Sequence, residues 1–334
     1  MTWLLFLAAA LVIVLAGTRL ARYGDVLGEK TGMGRSWIGV VLLAATTSLP
    51  ELFTGIGSTA FAQLPNIAVG DVLGSCMFNL LILSFMDAIH PEPISARAHQ
   101  GHALAIGFGL VLVGIPGLAL VGGNRLPALG WVGWYTPVVI ALYFVAMRVV
   151  FAHERQRRAR ETREVAEELQ YAETTLRSAA LRYAGAALLV VGAALWLPRL
   201  GASIAEETGL GEAFVGSLFI AITTSLPEIV VSLAAVRIGA VDLGIGNVLG
   251  SNLFNLFILG LDDLFYRQGP LMAAVDGSHS VSILAVVVMN GLFLVGLTYQ
   301  VAKKRFYVAW DTGAIAAVYA AAVGLGYLLR GAAS

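Results

Sequence analysis

Long uncharged stretches, separated by short polar or Gly/Pro-marked breaks, set the pattern of this chain. Ten mostly apolar runs start near Trp3, Trp37, Ile67, Gly101, Leu129, Ala179, Glu212, Leu243, Val281 and Val308. A helix needs about 20 such residues to cross the hydrocarbon core of a bilayer, so the pattern predicts ten transmembrane helices. The first run, Trp3 to Leu15, lacks the basic flank and cleavage site of a secretory leader and reads as helix 1. One polar stretch, 151–178, is rich in Arg and Glu, with pairs such as Arg160 and Glu164 at i, i+4 spacing, and reads as a short helical connector.

The two sides of that connector repeat each other. TTSLPE occupies Thr46–Glu51 and recurs 177 residues later at Thr223–Glu228, and the same offset carries Gly39 onto Gly216. After a one-residue slip, the stretch from Gly70 to Asn79 (GDVLGSCMFN) lies over Gly246 to Asn255 (GNVLGSNLFN), and Asp87 falls on Asp263. Each half holds five runs, an odd number, so the second copy enters the membrane from the opposite side. The expected fold is an all-α integral membrane protein of ten transmembrane helices in two inverted five-helix repeats, residues 1–150 and 179–334, joined by the 151–178 linker. Inverted repeats of this kind place substrate sites near the bilayer midplane, at the interface of the halves.

Two glutamates, Glu51 and Glu228, fall inside otherwise apolar helices, where an ionisable group marks a functional site. Facing carboxylates in a low dielectric repel, and a bound cation removes the repulsion. Thr47 and Ser48 precede Glu51 by four and three residues and so share its face of the helix, as Thr224 and Ser225 do for Glu228. Pro50 and Pro227 lack an amide hydrogen, which predicts a kink and under-bonded carbonyls near Thr46 and Thr223. On the following helices Ser75 with Asn79, and Ser251 with Asn255, are i, i+4 pairs able to complete a shell. Gly70, Gly74, Gly246 and Gly250 suit close helix packing. Carboxylate, hydroxyl, amide and carbonyl oxygens are hard donors that suit calcium or sodium and not zinc or copper. Calcium, which accepts about six to eight oxygens in irregular geometry, is favoured over magnesium.

Composition agrees with a membrane solvent. The 334 residues are 58% hydrophobic and 13% charged, and the mean hydropathy is +0.82. The single cysteine, Cys76, excludes an internal disulfide framework. Net charge is zero but unevenly placed. Seventeen of the 21 basic residues follow odd-numbered runs, leaving Arg125, Arg199, Arg267 and Arg330 on the other side. By the positive-inside rule the linker is cytoplasmic and both termini face out, with the protein in a cell (inner) membrane.

At these motifs the chain resembles the calcium/cation antiporter superfamily, whose repeats carry a GTSxPE-like and then a GNxxGSNxFN-like element. The resemblance covers both repeats, with site motifs at 44–51 and 70–79, then 221–228 and 246–255. It implies a site lined by Thr47, Ser48, Glu51, Ser75 and Asn79 from the first half and Thr224, Ser225, Glu228, Ser251 and Asn255 from the second, with backbone carbonyls from Ala44 and Ala221. It also implies exchange of calcium for sodium by alternating access. Thr46 and Thr223 replace the family's usual glycine. Asn255 stands where many sodium/calcium exchangers have aspartate, and neither Asn79 nor Asn255 is the acid of potassium-dependent relatives. Asp71 and Cys76 replace asparagines, and Asp71 is read either as tuning an ion path or as a local cap or pair. A proton-coupled calcium or other divalent cation exchanger is the alternative, although the GNxxE-like element of that branch is absent; a cation channel is a further one. No nucleophile–base pair or cofactor motif appears, so the chain reads as a non-enzyme without cofactor, whose partners are calcium and sodium ions and the lipid bilayer, not nucleic acid.

Overall fold

The computed structural model describes residues 2–32, 37–161, 174–196, 200, 203, 222–301, 303–304 and 307–329. The helices are α1 (Thr2–Thr31), a bent pair α2 (Ile38–Thr47) and α3 (Leu49–Phe61), α4 (Pro65–Ile89), the short α5 (Ile94–Arg97), α6 (His102–Gly122), α7 (Tyr135–Glu161), α8 (Leu176–Ala194), α9 (Leu226–Arg237), α10 (Val241–Phe265), α11 (His279–Tyr299) and α12 (Trp310–Leu329). Among the described residues, eight single helices are long and apolar enough to cross a membrane, and the α2–α3 pair makes nine. The span expected from Glu212 begins at residues outside those described. Its later part is present as helical turns at 222–224 followed by α9.

Helices α4 and α10 form the centre and bury residues along nearly their whole length. They meet through reciprocal bonds: the Asn252 amide donates to the Cys76 carbonyl (3.2 Å), and the Cys76 thiol lies 3.9 Å from the Asn252 carbonyl. Close approach of α2 to α10 depends on glycine, since a Cβ on Gly250 would stand 2.5 Å from Val40 Cα. The outer helices expose apolar side chains instead, among them Leu4, Leu7 and Leu11 of α1 and Val121 of α6. Only a lipid solvent makes such a surface favourable.

Two local features differ from the sequence expectation. The run placed near Leu129 begins as a two-stranded hairpin, Ala128–Leu129 paired with Val132–Gly133 around Gly130 at φ +69°, and helix starts only at Tyr135. Glycine alone takes that backbone without strain, so the apolar residues there are a turn. The kink also sits earlier than proline placement suggests. The break between α2 and α3, bent by 45°, falls at Ser48 (φ −92°, ψ 12°), and Pro50 lies in the first turn of the new helix, where a missing N–H costs nothing. Ser225 (φ −83°, ψ 8°) and Pro227 repeat this before α9. The bent span is also partly π-helical, at Ile38–Leu43 and Gly57–Phe61, which the sequence did not signal.

Asp87 and Asp263 act as anchors at the ends of α4 and α10. Asp87 accepts from the Ile94 N–H (2.9 Å), the Ala309 N–H (2.6 Å) and the Thr312 hydroxyl (2.8 Å), with Lys304 3.3 Å away. Asp263 accepts from the N–H groups of Gly133 (2.8 Å) and Leu271 (2.6 Å) and the hydroxyls of Tyr135 (2.7 Å) and Thr136 (2.5 Å). Each ties a central helix to the loop that follows it and to an outer helix.

Candidate cation site

The two helix breaks face each other across the centre of the bundle. Because Ser48 and Ser225 leave the helical region, their hydroxyls reach across to the opposite glutamate. Ser48 donates to Glu228 Oε1 at 2.8 Å, and Ser225 donates to Glu51 Oε1 at 3.2 Å. Ser251 adds a 3.3 Å bond to Glu228 Oε1. Both carboxylates are completely buried, and each keeps an Oε2 with no hydrogen-bond partner. Among the described residues no cationic side chain is paired with either. A bare oxygen of this kind in a dry interior is expensive unless an ion completes it.

The remaining residues read from the sequence converge here. Thr47, Ser75, Asn79, Thr224, Ser251, Asn255 and Ala44 are all 0% exposed. The Ser75 and Thr224 hydroxyls lie 3.4 Å apart, and so do those of Thr47 and Ser251, joining opposite halves. The Ala44 carbonyl is 3.4 Å from the Thr47 hydroxyl, and the Thr46 carbonyl loses its i+4 donor because Pro50 has no N–H. Ala221 lies outside the described residues. The side-chain amide of Asn79 has no partner, and that of Asn255 has only the Cys76 thiol beside it. The set offers two anionic and several neutral oxygens; among the described residues no group of three or more His, Cys, Asp or Glu is placed to hold a metal.

A second layer encloses this centre. The Thr224 hydroxyl donates to Asp71 Oδ1 (3.2 Å), and the Thr47 hydroxyl lies 3.4 Å from Asn247 Oδ1, so Asp71 and Asn247 hold equivalent places in the two halves. The partner that Asp71 has here, Thr224, belongs to the other half of the chain. Asp262 was not singled out by the sequence. It is wholly buried, and neither oxygen has a partner. The signal was its position in a predicted span, hidden by proximity to the span's end. In the loops outside the spans, hydrogen bonds from Arg97 hold Glu92 below the ordinary carboxylate range, and those from Ser278 do the same for Asp276. Both are therefore ionised at neutral pH.

Two opposed helix breaks, each with a buried glutamate and each supplying a hydroxyl to the other, inside a lipid-facing bundle, fit a multi-pass membrane cation exchanger. The chain belongs to the family described as sodium/calcium exchanger protein, whose model matches residues 1–152 and 178–328. It is 29% identical over 286 residues to inner membrane protein YrbG of Escherichia coli (strain K12), covering 85% of this chain and 86% of that one. It is 33% identical over 111 residues to sodium/calcium exchanger MaX1 of Methanosarcina acetivorans, covering 32% of each. A structure of the sodium-calcium exchanger NCX_Mj soaked with 100 mM Na+ and 10 mM Sr2+ matches with a TM-score of 0.74 over 97% of this chain and 99% of that chain, at 21% identity. Likeness at that identity carries the fold.

Proposed function

We propose that the protein exchanges calcium for sodium by alternating access, binding both as substrates between Glu51 and Glu228. The observation that supports this most is the reciprocal pairing of Ser48 with Glu228 and Ser225 with Glu51, which leaves one bare oxygen on each buried carboxylate. One calcium or two sodium ions neutralise that pair, which makes the two loads exchangeable in charge. Thr47, Ser48, Ser75, Asn79 and their counterparts Thr224, Ser225, Ser251 and Asn255 supply neutral oxygens, joined by the carbonyls of Ala44 and Ala221. The ten helices form two inverted five-helix repeats, and rocking one half against the other opens the site to alternate faces. The 151–178 linker is cytoplasmic, both termini face out, and the membrane is the inner membrane, in keeping with the basic-residue bias and the name borne by YrbG.

Proton coupling is the second reading, because two facing buried carboxylates also suit proton uptake. Purified protein in liposomes separates the two. Calcium uptake driven by an outward sodium gradient, and not by proton or potassium gradients of equal size, is the expected result. Uptake that follows the proton gradient alone would replace sodium with protons as the coupling ion.

A further inference from the structure

The two halves stop matching one helical turn beyond the central glutamates. In the second half, the Asn247 amide donates to the Ser232 hydroxyl (3.0 Å). In the first half, Asp71 stands at the place of Asn247 and Gly55 at the place of Ser232, so neither a donor nor a side chain is available. The space is filled from α10. A Cβ on Gly55 would meet Asp262 Oδ1 at 2.5 Å and Oδ2 at 2.6 Å, so the Asp262 carboxylate lies directly on this glycine. The residue matching Asp262 in the first half is Met86, and its terminal methyl packs against Gly244 on the opposite side of the bundle. One side of the central site thus has two acids where the other has an amide and a thioether.

Asp71 is 1% exposed and Asp262 0%; Asp71 Oδ2 and both oxygens of Asp262 have no hydrogen-bond partner. Asp71 takes the place of Asn247, and the Gly55 that Asp262 covers takes the place of Ser232, the partner of Asn247, so both acids border the same gap. The nearby Thr59 hydroxyl is committed to the Gly55 carbonyl (2.9 Å) and gives neither acid a proton. Apart from the Thr224 hydroxyl on Asp71 Oδ1, no donor among the described residues reaches either acid, and the three remaining oxygens, sealed from water, are open to a cation.

We propose that Asp71 and Asp262 form a second, weaker calcium site, which stages the ion between the Glu51–Glu228 centre and the face formed by the α3–α4 turn and the α10–α11 loop. That face carries the exposed, ionised Asp276, whose N–H bonds to Asn66 in the first turn of α4 (2.8 Å), five residues before Asp71. Acids therefore descend from the surface to the centre along α4 on this side. On the other side Asn247 and Met86 offer no charge, so the protein binds calcium along only one of its two access routes. This site rests on the exchange reading above, because it serves the same substrate.

Equilibrium dialysis of the full-length protein in detergent, with radiolabelled calcium, tests it. Wild type is expected to bind calcium in two classes. Asp262→Asn, and Asp262→Met copying Met86, should weaken the second class by at least about tenfold through loss of half its charge, with the tighter class retained as proof of folding. Asp71→Asn, copying Asn247, should do the same. A single class in wild type, or a weaker class that survives all three substitutions, would overturn the second site. Failure of the central reading looks different: the tighter class would then survive Glu51→Gln and Glu228→Gln.

Discussion

In the exchange proposed above, Glu51 and Glu228 are the residues on which the chemistry turns, and their setting bounds what the site can carry. Two negative charges accept one calcium or two sodium ions without residue. A third sodium ion would leave an unbalanced positive charge in a low dielectric, at a cost of several kcal/mol. Asn255, fully buried beside Cys76, offers no charge to offset it. Replacing it by aspartate should therefore strengthen sodium competition. In liposome calcium uptake at graded external sodium, Asn255→Asp is expected to lower the half-inhibitory sodium by about tenfold, or about 1.4 kcal/mol. Unchanged competition would mean that this position does not set sodium affinity. At this scale the sequence was informative because the duplication wrote each candidate residue twice: a Thr, Ser and Glu at one spacing recur 177 residues on, and both sets are buried together. Asp262 was not legible, since Met86 stands opposite it and breaks the symmetry that exposed the others.

Among the elements, the helix breaks explain how short side chains reach across the bundle. A continuous helix would hold Ser48 on its own surface. The turn at Ser48 redirects the chain by 45° and lets the hydroxyl meet Glu228. The sequence located this break to within two residues through Pro50, but proline takes the first turn after a break as readily as it causes a kink, so the pivot itself was hidden. The π-helical turns were hidden too, although the first of them lies where Gly39 packs directly on the backbone of α10. Asp87 and Asp263 were legible as a repeated pair, while their role needed the loops to be in place. Asp263 satisfies two backbone N–H groups and two hydroxyls, and an amide in its place would turn a donor toward them. Asp263→Asn is expected to destabilise the protein by about 2–4 kcal/mol, read as a lower thermal unfolding temperature in detergent. An unchanged unfolding temperature would show that the anchor contributes little.

For the whole molecule, hydropathy alone announced a membrane protein, and eight apolar helices with the α2–α3 pair stand where runs were expected. The run placed near Leu129 gives a span, Tyr135–Gln156, that starts later than expected, because an apolar hairpin and an apolar helix start look alike until Gly130 takes positive φ. Orientation is carried by the basic residues. A cysteine at the exposed position Arg177, in a Cys76→Ser background, should be shielded from an impermeant thiol reagent in intact cells and react once the membrane is opened. Labelling in intact cells would invert the topology. The central claim, that calcium and sodium compete for one site between Glu51 and Glu228, is tested most directly by calcium uptake into proteoliposomes loaded with sodium, comparing wild type with Glu228→Gln. Wild type should take up calcium only while the sodium gradient lasts, and the variant should take up none. Uptake by Glu228→Gln at the wild-type rate, or wild-type uptake with no counter-ion inside, would contradict it.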